Sequence, residues 1–215
     1  MPIQISASLA SAPTDRLGEV VVRLEEAGAD YIHFDIEDGS FVPAMSLGTK
    51  IISDLRRYTR LPFDVHLMMV NPEWILPRLT SSGADRIAVH YEACPYPLHV
   101  LRQIVSLGAQ AGLAFNPATP VPNLTYMLPF LSFVVILTTE PEVPNPQFLP
   151  QMLEKIRTSR EIKDLDQVEW VVDGGITPEN TAEAVAAGAD TIVVGRAVFA
   201  GGKIDENISA LRSAA

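Results

Sequence analysis

Four short echoes constrain this chain more than any other feature. Ala27-Gly28-Ala29-Asp30, Ser82-Gly83-Ala84-Asp85, Leu107-Gly108-Ala109-Gln110 and Ala187-Gly188-Ala189-Asp190 each close a helical-looking segment. Three of them lead directly into an apolar, strand-like run, and the third in order does so after one residue. Glycine just past a helix end accepts the left-handed conformation that stops the helix at little cost. The four glycines are spaced close to two, one and three steps of ~27 residues, the length of one strand plus one helix with short loops. A chain of 215 residues has room for about eight such units.

The units can be laid out along the chain. Strand-like runs cover Ile3–Leu9, Tyr31–Ile36, Phe63–Met68, Arg86–His90, Ala111–Phe115, Phe133–Leu137, Glu169–Asp173 and Thr191–Val194. Helical candidates fall between them at Asp15–Ala27, Leu47–Tyr58, Pro72–Ser82, Pro97–Leu107, Val121–Leu128, Gln147–Arg160 and Pro178–Ala187, with a last one at Asp205–Ser213. Thr14-Asp15 and Thr177-Pro178 are good helix starts, the second with proline at the first helical position. Strict alternation predicts an α/β fold with a parallel sheet, and eight units predict closure into a (β/α)8 TIM barrel, one domain over residues 1–215. A doubly wound open sheet is the competing arrangement, but no Gly-x-Gly-x-x-Gly follows the first strand.

In such a barrel the chemistry sits at the C-terminal ends of the strands. Alternation along Tyr31–Ile36 projects His33 and Asp35 to one side, just before the turn signal Asp38-Gly39. His66 lies toward the end of the third strand and Asp173 ends the seventh. Taken singly, each has an ordinary reading as a core histidine, a cap or a turn aspartate. Together at one barrel mouth, two imidazoles and two carboxylates can bind a first-row divalent ion and leave positions open for substrate oxygens. His90 also ends a strand and is a candidate supporting group, whereas His99 reads as helix surface. Gly174-Gly175 after strand seven and Gly195-Arg196 after strand eight lie in the loops where this fold commonly holds a phosphate. Tight turns alone would also explain either glycine pair. The four lysines, Lys50, Lys155, Lys163 and Lys203, all avoid strand ends, which counts against a Schiff-base aldolase.

Composition removes several other classes. The formal net charge is −10, and no basic cluster exceeds Arg56-Arg57, so an electrostatic footprint for nucleic acid is missing. The most apolar run, Met127 to Leu137, is interrupted by Pro129 and Ser132 and is too short to span a bilayer. The N-terminus enters strand-like sequence within a few residues, with no basic leader. A single cysteine, Cys94, suits a reducing compartment, and the expected location is cytoplasmic.

Over nearly its whole length the chain resembles the ribulose-phosphate 3-epimerase family. The resemblance runs through Ser6-Ala7-Ser8-Leu9, His33-Phe34-Asp35 with Asp38-Gly39-Ser40-Phe41-Val42-Pro43, and Asp64-Val65-His66-Leu67-Met68. It continues through His90-Tyr91-Glu92, Gly112 to Pro120, and Val172-Asp173-Gly174-Gly175-Ile176. It implies one divalent metal ion (Zn, Fe, Mn or Co) held by His33, Asp35, His66 and Asp173, with Asp35 and Asp173 as the two acid–base groups. Ser8, His66 and Met68 would then touch substrate, beside the anion candidates Gly174, Gly175, Gly195 and Arg196. The partner implied is a small-molecule sugar phosphate, and the family implies a homo-oligomer.

Three places depart from that pattern. The family usually has methionine where this chain has Glu37 and Leu137. Its glycine-rich phosphate-covering loop corresponds here to Glu140-Pro141-Glu142-Val143-Pro144-Asn145-Pro146, and its Gly-Ser after strand eight is Gly195-Arg196. These changes leave the metal and proton chemistry in place but bear on the substrate. A related barrel decarboxylase or aldolase would use a lysine on the third strand in Asp-x-Lys-x-x-Asp, which Asp64-Val65-His66-Leu67-Met68 does not supply. A non-catalytic sugar-phosphate-binding barrel is the reading from another class.

Overall fold

A computed structural model describes residues 2–141 and 146–215 of the chain. Eight parallel strands close into a barrel in sequence order: β1 Gln4–Ser8, β2 Tyr31–Glu37, β3 Phe63–Met68, β4 Arg86–His90, β5 Gln110–Phe115, β6 Phe133–Leu137, β7 Glu169–Asp173 and β8 Thr191–Val194. Helices run outside it: α1 Leu17–Glu26, α2 Lys50–Leu55, α3 Leu76–Ser81, α4 Pro97–Ser106, α5 Glu154–Arg160, α6 Pro178–Ala186, α7 Arg196–Phe199 and α8 Ile204–Ser213. The echoed glycines do what their positions require. Gly28, Gly83, Gly108 and Gly188 all have positive φ just past a helix, and the chain re-enters the barrel directly after them.

Alternation on each strand sorts side chains into two cores. Outward residues such as Ile32, Phe34, Val65, Leu67, Leu113 and Ile192 join the large apolar layer between strands and helices. Inward residues Ala88, Ala114, Phe133, Val135, Leu137, Val171 and Val193 form a separate cluster inside the barrel. Gly112 serves this inner packing. A Cβ there would stand 2.4 Å from the Phe133 ring, so only glycine lets that ring fill the barrel. The register then sets the mouth: Asp35 pairs with His66 across β2–β3, and Leu137 pairs with Asp173 across β6–β7.

Two expectations need correction. Residues 121–128 form no helix: they run without regular structure into turns, and β6 follows. Pro120 and Pro129 flank this segment and Pro122 lies within it; proline disfavours the helical region for the residue before it, so Val121 and Leu128 are turned away from a helix and too short a run is left between them. The expected helix Gln147–Arg160 begins as a 3-10 turn at Pro150–Leu153 and becomes α-helical only at Glu154. Gly195-Arg196 stands at a helix start, where Arg196 opens the short helix α7. The proline-laden segment expected to cover the mouth falls partly on residues 142–145, outside the described residues. No helix among the described residues is long and apolar enough to cross a membrane.

Candidate active site

The strand ends predicted to carry the chemistry do converge. The ligand-capable atoms of His33, Asp35, His66 and Asp173 all lie within 4.8 Å of one another. His33 Nε2 is 3.3 Å from Asp35 Oδ1 and 3.9 Å from Asp173 Oδ2. His66 Nδ1 is 3.6 Å from Asp35 Oδ1 and 3.3 Å from Asp173 Oδ2. Ligand bonds of about 2.0–2.2 Å around one tetrahedral ion put neighbouring donor atoms roughly 3.3–3.6 Å apart, so this spacing suits a metal. A second observation agrees. His66 Nδ1 is fully enclosed and makes no hydrogen bond, although two carboxylates stand beside it. A buried lone pair or N–H without a partner is costly, and a cation among these four groups would resolve it.

The electrostatics point the same way. Burial alone would lower both imidazoles, but Asp35 and Asp64 hold His33 well above its ordinary range, and Asp173 and Asp35 push His66 up to about 9. Burial would likewise raise Asp35, yet His33 and His66 hold it well below the usual carboxylate range. The cluster therefore gathers positive charge at its centre, as protons when no ion is bound. Metal binding there would release those protons.

Each imidazole is aimed by a partner on its far side. His33 Nδ1 lies 2.8 Å from Asp64 Oδ2, whose carboxyl is held well below its usual range by the Arg86 and His33 charges against the cost of burial. His33 therefore donates from Nδ1 and turns Nε2 to the cluster. His66 Nε2 lies 2.9 Å from His90 Nε2, and His90 Nδ1 lies 3.2 Å from Glu92 Oε2. Burial pushes His90 down to about 4 despite Glu92, so at neutral pH it carries one proton. With Glu92 accepting from His90 Nδ1–H, His90 Nε2 accepts from His66 Nε2–H, and His66 Nδ1 is left to face the cluster. Phe41 covers His90 with ring centroids 4.5 Å apart. Phe41 is itself tied by its N–H to Asp38 Oδ1, whose other oxygen accepts from Val70 N–H, so the Asp38-Gly39 turn stitches the loops after β2 and β3 together.

Above the cluster is a cavity of about 330 Å³. Of the expected substrate contacts, Ser8, Met68, Gly174, Gly175, Gly195 and Arg196 line it, together with Asp35 and Asp173. His66 does not: it is wholly buried beneath the floor, where only its Nδ1 side meets the carboxylates. Ser8 Oγ donates to Asp35 Oδ2 at 2.7 Å and fixes that carboxylate. Arg196 Nη2 reaches the Pro146 carbonyl at 3.4 Å, at the rim of the cavity.

Sequence reasoning missed Thr139 and Ser11, which also line the cavity, and the orienting role of Asp64. Thr139 was reachable, since it stands two residues beyond Leu137 on the inward face of β6. Glu37 continues the inward face of His33 and Asp35. Its Oε2 accepts from Ser46 N–H at 2.7 Å, while its Oε1 is enclosed without a partner.

A closed eight-stranded barrel whose mouth gathers two imidazoles and two carboxylates, capable together of holding a metal ion, defines a barrel enzyme with titratable groups beneath a small cavity. The comparisons narrow the class. Residues 4–199 match the ribulose-phosphate 3 epimerase family, to which the chain belongs. The chain is 40% identical to the ribulose-phosphate 3-epimerase of Synechocystis, over 98% of this chain and 94% of that one. It is 38% identical to the Escherichia coli ribulose-phosphate 3-epimerase, over 91% and 88%. Members of the family bearing that name are isomerases. Among solved structures, 3-keto-L-gulonate-6-phosphate decarboxylase from Vibrio cholerae aligns with a TM-score of 0.72 at 16% identity, covering 100% of this chain and 97% of that one. Orotidine 5'-phosphate decarboxylase from Pyrococcus horikoshii aligns at 0.69 and 18% identity, covering 98% of each chain. At such identities the likeness is one of fold.

Proposed function

We propose that the chain catalyses metal-dependent 3-epimerisation of a ketose phosphate, converting ribulose 5-phosphate and xylulose 5-phosphate into one another. The observation that carries this reading is the pair Asp35 and Asp173. They reach one cavity from β2 and β7, each beside both imidazoles. A divalent ion (Zn, Fe, Mn or Co) held by His33, Asp35, His66 and Asp173 would supply Lewis-acid stabilisation of the negative charge that develops on the substrate oxygens.

The chain's own residues do the rest. Asp35, ionised and held by Ser8, takes the proton from C3 on one face, and the electron pair of that C–H bond moves into the enediolate. Asp173, as the acid, returns a proton to C3 on the other face, which inverts the carbon. The enzyme is left with the proton on Asp35, and exchange with solvent restores the starting state. In the reverse direction the two carboxyls exchange roles.

Asp35→Asn and Asp173→Asn should each abolish epimerisation, and full turnover in either variant would refute the two-carboxylate scheme. His33→Ala and His66→Ala should lose most bound metal, measured by elemental analysis, while the barrel stays folded by circular dichroism. Unchanged metal content in both would refute the ligand assignment. A homo-oligomer in the cytoplasm belongs to the same reading, supported by the family and by a lone buried cysteine. Light scattering of the purified protein tests the oligomer.

One observation favours a second reading of the substrate. Arg196 lines the cavity at its rim, where its planar fork can grip a phosphate or carboxylate bidentately. In this reading the anion is held by the loops after β7 and β8 with Arg196, and the preferred ketose phosphate differs from ribulose 5-phosphate in length or charge. Comparing catalytic efficiency on ribulose 5-phosphate, a hexulose 6-phosphate and an unphosphorylated ketose separates the two.

A further inference from the structure

Inside the barrel lies a charged group that no step above uses. Arg86 opens β4 and is 1% exposed. A guanidinium withdrawn from water needs carboxylates around it. Glu169, the first residue of β7, meets its fork with Nη1 3.1 Å from Oε2 and Nη2 3.0 Å from Oε1. Asp64, its register partner on β3, faces its other side, with Nε 3.1 Å from Oδ1 as a charge contact rather than an aligned hydrogen bond. The guanidinium carbon lies 4.0 Å from the Phe133 ring centroid and 4.5 Å from that of Tyr31, so the group is clamped between rings.

Asp64 divides its two oxygens. Oδ1 faces Arg86, whereas Oδ2 takes hydrogen bonds from Ser6 Oγ at 2.8 Å and from His33 Nδ1 at 2.8 Å. A continuous line therefore runs from Glu169 through Arg86 and Asp64 to His33, whose Nε2 faces Asp35 and Asp173. We infer that Arg86, anchored by Glu169, is a positioning residue that holds the Asp64 carboxylate in the one orientation that aims His33 Nε2 at the cluster. An apolar residue in its place would leave Asp64 Oδ1 facing nothing, and the carboxylate would be free to turn away from His33. Buried ion triads are commonly no more stable than well-packed apolar substitutes, so retaining three charges here points to geometry rather than stability. Partners that orient a metal-binding histidine are worth about 10–100-fold in metal affinity. The effect on metal binding rests on the metal-dependent reading proposed above; the aiming of His33 does not.

The test compares Arg86→Gln and Glu169→Gln with the parent protein, using two readouts. One is the hydrogen-bonded His33 Nδ1–H resonance in protein labelled with nitrogen-15 histidine, assigned by its loss in His33→Gln. The other is Co(II) affinity, titrated by absorbance well below the unfolding temperature. The expected result in Arg86→Gln is loss or solvent exchange of that resonance and Co(II) binding weakened about 10–100-fold. Glu169→Gln should move both readouts in the same direction by less. Should Arg86→Gln fail to fold, Glu169→Gln decides, because its side chain is 22% exposed and its loss leaves Arg86 beside Asp64. An unchanged resonance and unchanged Co(II) affinity, with only the unfolding temperature lowered, would overturn the inference and leave Arg86 a stability element. If the parent binds no Co(II) while the resonance still responds to both variants, the metal reading fails and the positioning role stands.

Discussion

Gly174→Ala tests how tightly the turn beside Asp173 is determined. Gly174 has φ of +114°, a conformation L side chains rarely adopt. A Cβ there would stand 2.4 Å from Thr139 Oγ1 and 3.0 Å from the Thr139 backbone N, and the backbone neighbour cannot swing aside. Nor can the turn slide. Thr138 N–H donates to the Asp173 carbonyl at 2.7 Å, and Thr138 Oγ1 donates to the Gly174 carbonyl at 2.6 Å. Backbone strain costs about 1–3 kcal/mol and overpacking a further 1–3 kcal/mol, which gives roughly 2–6 kcal/mol in all. For a chain of this size that is a fall of roughly 5–20 °C in Tm, read by scanning calorimetry. The turn follows Asp173 directly, so kcat should fall while the protein is still folded at the assay temperature. Gly202→Ala is the control. Its φ is +71° with nothing within 4 Å of the added Cβ, so only the left-handed penalty of about 1–2 kcal/mol applies. A Gly174→Ala protein with Tm within about 2 °C of the parent and full activity would refute this reasoning.

Further outcomes are expected elsewhere. Arg196→Ser should raise KM for a phosphorylated ketose at least several-fold and leave an unphosphorylated one unaffected; equal KM values would make Arg196 a bystander at the rim. Removing metal with a chelator should lower Tm, since an ion at about 100 times its Kd adds about 2.7 kcal/mol, and restoring the ion should restore Tm. Burial pushes the Cys94 thiol up to about 12, so the thiolate is scarce in the folded protein. Alkylation of Cys94 should be slow at pH 8 and speed up as pH rises toward that value, whereas urea-unfolded protein reacts readily; equal rates would show that the folded protein exposes it.

The barrel was legible because its echoes coincide with helix ends, where glycine answers a local conformational need. The site was legible for a different reason. Period-two alternation puts His33 and Asp35 on one face, and a turn signal marks that face as a strand end. Arg86 and Glu169 were not legible as a pair. At the starts of β4 and β7 they read as polar flanks, 83 residues apart, and only closure of the barrel brings their side chains together. The His66–His90–Glu92 line was half visible, because His90 ends a strand, but which nitrogen faces which requires the rings in place. The expected helix at 121–128 does not form because Pro122 and Pro129 disfavour helical backbone at Val121 and Leu128, the residues before them.

The most direct test of the two-carboxylate reading is epimerisation in heavy water. The metal-loaded protein, incubated with ribulose 5-phosphate in D2O, should form xylulose 5-phosphate that carries solvent deuterium at C3, followed by proton NMR, because Asp35 removes one hydrogen and Asp173 supplies another. Recovery of ribulose 5-phosphate alone, with no epimer and no deuterium at C3, would contradict it.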